Sequence, residues 1–129
     1  LTQEKLIRLA KDYGLEVTAF SPLGSISYEE LGGAEESESI LKNKIVQSIS
    51  KDIGITPAQL ILGWGLNRGT SIVVKSTNEI RMKENLAASR IKLQQSIIDK
   101  ISALNVNKRY NDPGIFCEDA FNTFFPIYE

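Results

Sequence analysis

The 129-residue sequence contains no histidine, one cysteine and one methionine. Without histidine, no Ser-His or Cys-His nucleophile pair can be assembled within the chain. A single cysteine excludes an internal disulfide framework and, with histidine absent, an internal zinc site of the usual Cys/His kind. Long apolar runs are missing as well, and none approaches the roughly 20 residues of a membrane-spanning helix. Charge of one sign is not in excess: 15 Lys+Arg face 16 Asp+Glu, for a net charge of −1. That balance argues against a dedicated nucleic-acid surface, which needs a basic surplus to neutralise phosphates. Asn-x-Ser/Thr sequons are absent, and Glu4, Lys5, Arg8, Lys11 and Asp12 interrupt any apolar leader core. With the lone Cys117, these absences predict a reducing, cytoplasmic setting without nucleic-acid or membrane partners. The chain opens on Leu1 and its one methionine is Met82, so a piece of a longer polypeptide is expected.

What is present is an ordinary globular composition, with 42% hydrophobic residues and 9 Gly, enough for one domain. Thr2–Tyr13 reads as a helix, with Leu6, Leu9, Ala10 and Tyr13 on one stripe and Gly14 as its stop. Leu15–Phe20 alternates and reads as a strand, ended by Ser21-Pro22-Leu23-Gly24. A polar stretch follows, with Gly32-Gly33 and carboxylates at Glu29, Glu30, Glu35, Glu36 and Glu38. Nothing there has calcium-loop spacing, so a solvated flexible loop is expected. Ile40–Ile53 reads as one helix with Leu41, Ile45 and Ile49 aligned. Thr56-Pro57-Ala58-Gln59 is a helix-start signal: an N-cap, a proline in the first turn and a capping-box glutamine. That helix should end at Gly69, and Thr70–Val74 should be a buried strand. Helices are predicted over Glu79–Ser89 and Leu93–Leu104, followed by a tail rich in aromatics. Alternating helices and strands with crossover-sized gaps predict parallel strands in an α/β fold. Two strands do not complete a sheet of that class, which again points to a part of something larger.

The segment Val74-Lys75-Ser76-Thr77-Asn78-Glu79-Ile80-Arg81 places a strand end and a helix start side by side. Ligands of α/β folds bind beyond the carboxyl ends of the strands, and a helix N-terminus offers free N–H groups to an anion. Ser76, Thr77 and Asn78 add short polar groups, Lys75 and Arg81 add charge, and Glu84 and Asn85 follow within one turn. A phosphate-plus-adenine site is one reading; an ordinary capped turn with surface cations is the other.

Six stretches, in order, resemble the aldo-keto reductase family of NADPH-dependent (β/α)8-barrel enzymes. They are Val17–Gly24, Thr56–Leu60, Trp64–Gly69, Val74–Ser76, Arg81–Asn85, and Leu104-Asn105 through Arg109–Pro113. The resemblance implies an α/β fold that is the C-terminal portion of a (β/α)8 TIM barrel. Leu15–Phe20 would be strand 7, Ser71–Val74 strand 8, residues 1–113 the barrel portion and 114–129 a C-terminal tail. It implies NADP(H) as cofactor. Lys75 and Arg81 match the positions that hold the 2′-phosphate, with Ser76 at the same end. Glu84 and Asn85 match positions facing adenine. Ser21, Leu23 and Ser25 match the pyrophosphate loop, and Phe20 stands where an aromatic stacks on nicotinamide. Asn78-Glu79-Ile80 departs from the Thr-Pro-Glu often found there, so the proline-set helix entry is missing.

The family's acid Tyr and its Lys, Asp and His lie at early barrel strands, so no catalytic residue is assigned here. Tyr13 and Trp64 are expected in the core, Tyr28 in a loop and Cys117 as a bystander. Phe116, Phe121, Phe124, Phe125 and Tyr128 would either shape an apolar carbonyl-substrate pocket or simply pack. The implied activity is reduction of aldehydes or ketones, the partner a small-molecule carbonyl. The alternative is a non-enzymatic, NADPH-binding regulatory subunit on the same fold, like the beta subunits of voltage-gated potassium channels. A standalone 129-residue domain would leave apolar strand surface uncovered.

Overall fold

A computed structural model describes residues 2–24, 34–110 and 113–123. Six α-helices and two strands are defined among them. They are α1 (Glu4–Asp12), β1 (Thr18–Ala19), α2 (Lys44–Asp52), α3 (Pro57–Asn67), β2 (Ser71–Ile72), α4 (Glu79–Ala87), α5 (Gln95–Ser102) and α6 (Pro113–Phe121). Short 3-10 turns precede α2, at Glu36–Glu38 and Ile40–Lys42, and one follows α4 at Ala88–Arg90. β1 and β2 pair in parallel, with Thr18 opposite Ser71 and Ala19 opposite Ile72. The chain is therefore α/β, as its helix–strand alternation predicts.

α3 is the organising helix. The Thr56 hydroxyl accepts the Gln59 N–H at 3.2 Å, and the Gln59 side-chain carbonyl accepts the Thr56 N–H at 3.0 Å. This reciprocal cap satisfies two donors that helical geometry leaves open. Leu60, Ile61 and Leu62 on α3 are all buried. Val46 of α2 and Ile101 of α5 join Leu60 and Ile61 in the core, with Leu23, Ile40, Trp64 and Leu93 packed around them. Trp64 is thus the packing residue expected, and its indole N–H donates to the Ser102 hydroxyl at 3.0 Å. Gly65 lets α3 lie close on the sheet: a Cβ there would stand 3.4 Å from Ile72 Cγ2.

Asn67 at the end of α3 fixes the approach to α5. Its amide NH2 donates to the carbonyls of Gly63 and Ile91, each at 2.8 Å, and its side-chain carbonyl accepts the Leu93 N–H at 3.2 Å. Leu93 is held outside the helix, which is why α5 starts at Gln95 rather than at Leu93.

The structure corrects several other expectations. The single helix over Ile40–Ile53 is two elements, because the Asn43 side chain accepts the N–H groups of Ile45 and Val46 and starts α2 at Lys44. Gln3 adopts a left-handed φ of 53°, so α1 starts at Glu4 and not at Thr2. α1 buries Ile7 and Ala10, while Leu6, Leu9 and Tyr13 stay exposed, Tyr13 at 75%. The strands are shorter than predicted, since the β1–β2 ladder runs from the Val17 carbonyl to the Val73 N–H and stops. Val73 is 61% exposed rather than buried, because helices cover only part of this two-stranded sheet. Two carboxylates of the polar stretch are ion-paired rather than merely solvated: Glu36 with Lys42 and Glu38 with Lys108. Residues 113–121 of the tail form α6, which opens on Pro113. Tyr28, Phe124, Phe125 and Tyr128 lie outside the described residues.

Candidate functional site

Parallel pairing brings the carboxyl ends of β1 and β2 to one edge. Phe20 and Ser21 leave β1 there, and Val74, Lys75 and Ser76 leave β2. Phe20 is 64% exposed. Ser21 holds a φ of 46°, a left-handed conformation that turns the chain away from the sheet. Leu23 instead packs against the core. Ser25 lies outside the described residues.

Beyond β2, hydrogen bonds set the turn into α4. The Ser76 hydroxyl accepts the Asn78 N–H at 3.1 Å. The Asn78 side-chain carbonyl accepts the Arg81 N–H at 3.0 Å, so Asn78 is the N-cap that the missing proline would otherwise have helped to set. That cap leaves the N–H groups of Glu79 and Ile80 at the positive end of the helix dipole. Glu79 places a carboxylate in the same turn, but Lys83 pairs with it at 2.7 Å. Gln59 of α3 donates to the Glu84 carbonyl at 3.2 Å and fixes the far side of α4.

An open cleft of about 670 Å³ lies between the end of β2 and α4. Lys75, Ser76 and Asn85 line it, together with Ile72, Val74, Met82 and Leu86. Arg81 and Lys75 side chains have no ion-pair partner among the described residues. Thr77 is exposed beside them. Of the residues predicted from sequence, Lys75, Ser76 and Asn85 line the cleft, while Thr77, Asn78 and Arg81 stand at the start of α4 and Glu84 a turn further on, outside that lining. Phe20 and Ser21 share their sheet edge without lining the cleft. Met82 and Leu86 were missed by sequence reasoning. Their signal was the helical spacing Met82, Asn85 and Leu86, which puts all three on the cleft face of α4, with Ser89 of the following 3-10 turn lining it further on.

This arrangement suits a ligand with an anionic end and a flat apolar part. Lys75 and Arg81, without ion pairs among the described residues, capped-helix N–H groups and short hydroxyls serve the first. Met82, Leu86, Val74 and Asn85 offer the second an apolar wall with one amide.

Comparison with known proteins places the chain. The sequence model of the aldo/keto reductase family matches residues 1–106. A probable NAD(P)H-dependent D-xylose reductase of Aspergillus terreus is 39% identical over 130 residues, covering 99% of this chain and 39% of the relative. A probable NAD(P)H-dependent D-xylose reductase of Arthroderma otae is 38% identical over 130 residues, covering 99% and 38%. An NAD(P)H-dependent D-xylose reductase of Aspergillus niger is 39% identical over 115 residues, covering 88% and 36%. The chain spans about two fifths of the length of these curated relatives. By the extent of these matches, it belongs to the aldo/keto reductase family.

Proposed function

We propose that the chain is the cofactor-binding, C-terminal portion of a (β/α)8-barrel oxidoreductase that reduces aldehydes or ketones with NADPH. The observation that carries this reading is the cleft at the carboxyl end of β2, lined by Lys75, with Arg81 in the first turn of α4 and neither cation ion-paired among the described residues. The residues present fit a dinucleotide carrying an extra phosphate. Lys75 and Arg81 would hold the 2′-phosphate, with Ser76, Thr77 and the Asn78 amide beside it. Asn85 and Glu84 would face adenine against the Met82 and Leu86 wall. Ser21, Leu23 and Ser25 would follow the pyrophosphate, and the exposed Phe20 ring would lie against nicotinamide. When bound, the cofactor supplies hydride. The side chains named here bind and orient it, and the residue that protonates the carbonyl oxygen belongs to the remainder of the barrel.

Two observations support a barrel portion, with residues 1–113 as barrel and 114–129 as tail. Leu6, Leu9 and Tyr13 on α1 and Leu15 and Val73 beside the sheet are exposed, as faces that further barrel elements would cover. The relatives are also more than twice as long. They are named NAD(P)H-dependent; the two cations favour NADPH over NADH here, because only NADPH carries a 2′-phosphate for them to hold. The lone cysteine supports a cytoplasmic setting. The aromatic tail is proposed to shape the carbonyl pocket. Deleting Phe121–Glu129 from the complete protein should then shift substrate preference more than cofactor affinity.

The deciding experiment follows NADPH oxidation by the complete protein with a panel of aldehydes and aldoses. Turnover supports the reductase. NADPH binding without turnover supports the regulatory-subunit alternative.

A further inference from the structure

We propose that Lys108 is a positioning residue for the turn Ser21–Gly24, acting on it through Glu38. The cofactor half of this inference rests on the proposed role of that turn at the pyrophosphate.

Lys108 follows α5, and Glu38 ends the first 3-10 turn before α2. Seventy positions apart in sequence, they meet in a two-pronged ion pair: Lys108 Nζ lies 2.6 and 2.7 Å from the two Glu38 oxygens. Glu38 Oε2 also accepts the backbone N–H of Glu35 at 2.9 Å. One carboxylate therefore holds its own turn together and ties it to the segment after α5. The pair is partly withdrawn from water, with side-chain exposures of 42% for Lys108 and 24% for Glu38. Screening weakens such a pair less than a fully exposed one. Lys108 Nζ also stands 5.2 Å from the centre of the Tyr110 ring, which narrows the positions open to the cation.

The tie reaches the proposed cofactor turn through packing. Ile40 is two residues beyond Glu38, and its Cγ2 would stand 3.6 Å from a Cβ placed on Gly24. Ile40 and Leu23 also pack on the same core cluster. The Glu36–Lys42 ion pair braces the leg between them. Packing of Ile40 thus carries the tie from Lys108 and Glu38 to the neighbourhood of Gly24, in the turn proposed to follow the pyrophosphate.

The test uses the complete protein with Lys108→Met, Glu38→Gln and the exchanged pair Glu38→Lys/Lys108→Glu. Amide hydrogen exchange over residues 34–43 is measured without cofactor, and NADPH release by stopped-flow fluorescence. Each single variant should speed exchange in 34–43 and NADPH release by about two- to fivefold, the range of a partly exposed ion pair. The exchanged pair should restore both in part, because an ammonium cannot accept the Glu35 N–H, and high salt should move the parent part of the way toward the single variants. Unchanged exchange in the single variants would overturn the tie itself. Faster exchange with unaltered NADPH release would overturn its reach to the cofactor turn. A parent that binds no NADPH would instead overturn the cofactor half together with the reading it rests on, while the exchange data still judge the ion pair.

Discussion

The Asn78 side-chain carbonyl accepts the backbone N–H of Arg81 at 3.0 Å. The residue that starts α4 thereby fixes the backbone of the residue proposed to hold the cofactor phosphate. A helix entry that lacks the family's frequent proline is set by an amide cap. The same amide keeps its NH2 group, which no protein acceptor uses among the described residues.

Replacing that cap should separate stability from binding. Asn78→Ala removes the acceptor and should cost about 1 kcal/mol in denaturant unfolding of the complete protein. Asn78→Asp keeps the acceptor and should cost less, yet it adds a negative charge where phosphate is proposed to sit. NADPH affinity should therefore fall further in Asn78→Asp than stability does. Parallel unfolding curves and cofactor titrations measure both. Equal losses in the two variants on both scales would count against the assignment.

Asn67 carries a second testable load. Its NH2 group serves two carbonyls and its oxygen one N–H, all part-buried. Asn67→Asp leaves the Gly63 and Ile91 carbonyls facing a carboxylate, at an expected cost of about 1–3 kcal/mol. The Leu93 N–H keeps its acceptor, so the loss should appear as lower stability with little change in cofactor affinity. Urea unfolding with a parallel NADPH titration checks this.

The Lys108–Glu38 pair predicts a pH dependence. The Lys108 hydrogen bond, helped by the Glu35 N–H, holds the Glu38 carboxyl below its ordinary value of 4.5. Glu38 in turn holds the Lys108 ammonium above its ordinary 10.5. A lowered carboxyl contributes stability above its ordinary value and loses it as pH falls through the lowered one. A raised ammonium contributes below its ordinary value and loses it as pH rises through the raised one. The melting difference between the parent and Lys108→Met should hold from about pH 5 to pH 10 and shrink as pH falls further. A difference that persists unchanged in strong acid would show that the pair is not its source.

Much of the fold was legible where a helix signals its own ends. Thr56-Pro57-Gln59 sits within one turn, and the capping bonds it predicts are formed. Gly14, Gly54 and Gly69 end their helices with φ of 66°, 70° and 83°. Asn43 was not legible, because it stands inside the apolar stripe of Leu41, Ile45 and Ile49, where periodicity masks a cap. The exposure of Val73 and Tyr13 could not be read from periodicity, since it depends on what covers each face. The Lys108–Glu38 pair joins positions too distant for local pattern to connect. At the candidate site, the polar residues from Lys75 to Asn85 stood out as a strand end meeting a helix start. Met82 and Leu86 did not, because apolar residues on a helix suggest core before they suggest a ligand wall.

The most direct test of the central claim titrates the complete protein with NADPH and NADH, in the parent and in Lys75→Met and Arg81→Met. The parent should prefer NADPH. Each variant should lose about ten- to a hundredfold in NADPH affinity, the worth of a charged hydrogen bond, with NADH binding little changed. Equal weakening toward both cofactors, or none toward either, would contradict a 2′-phosphate site at the start of α4.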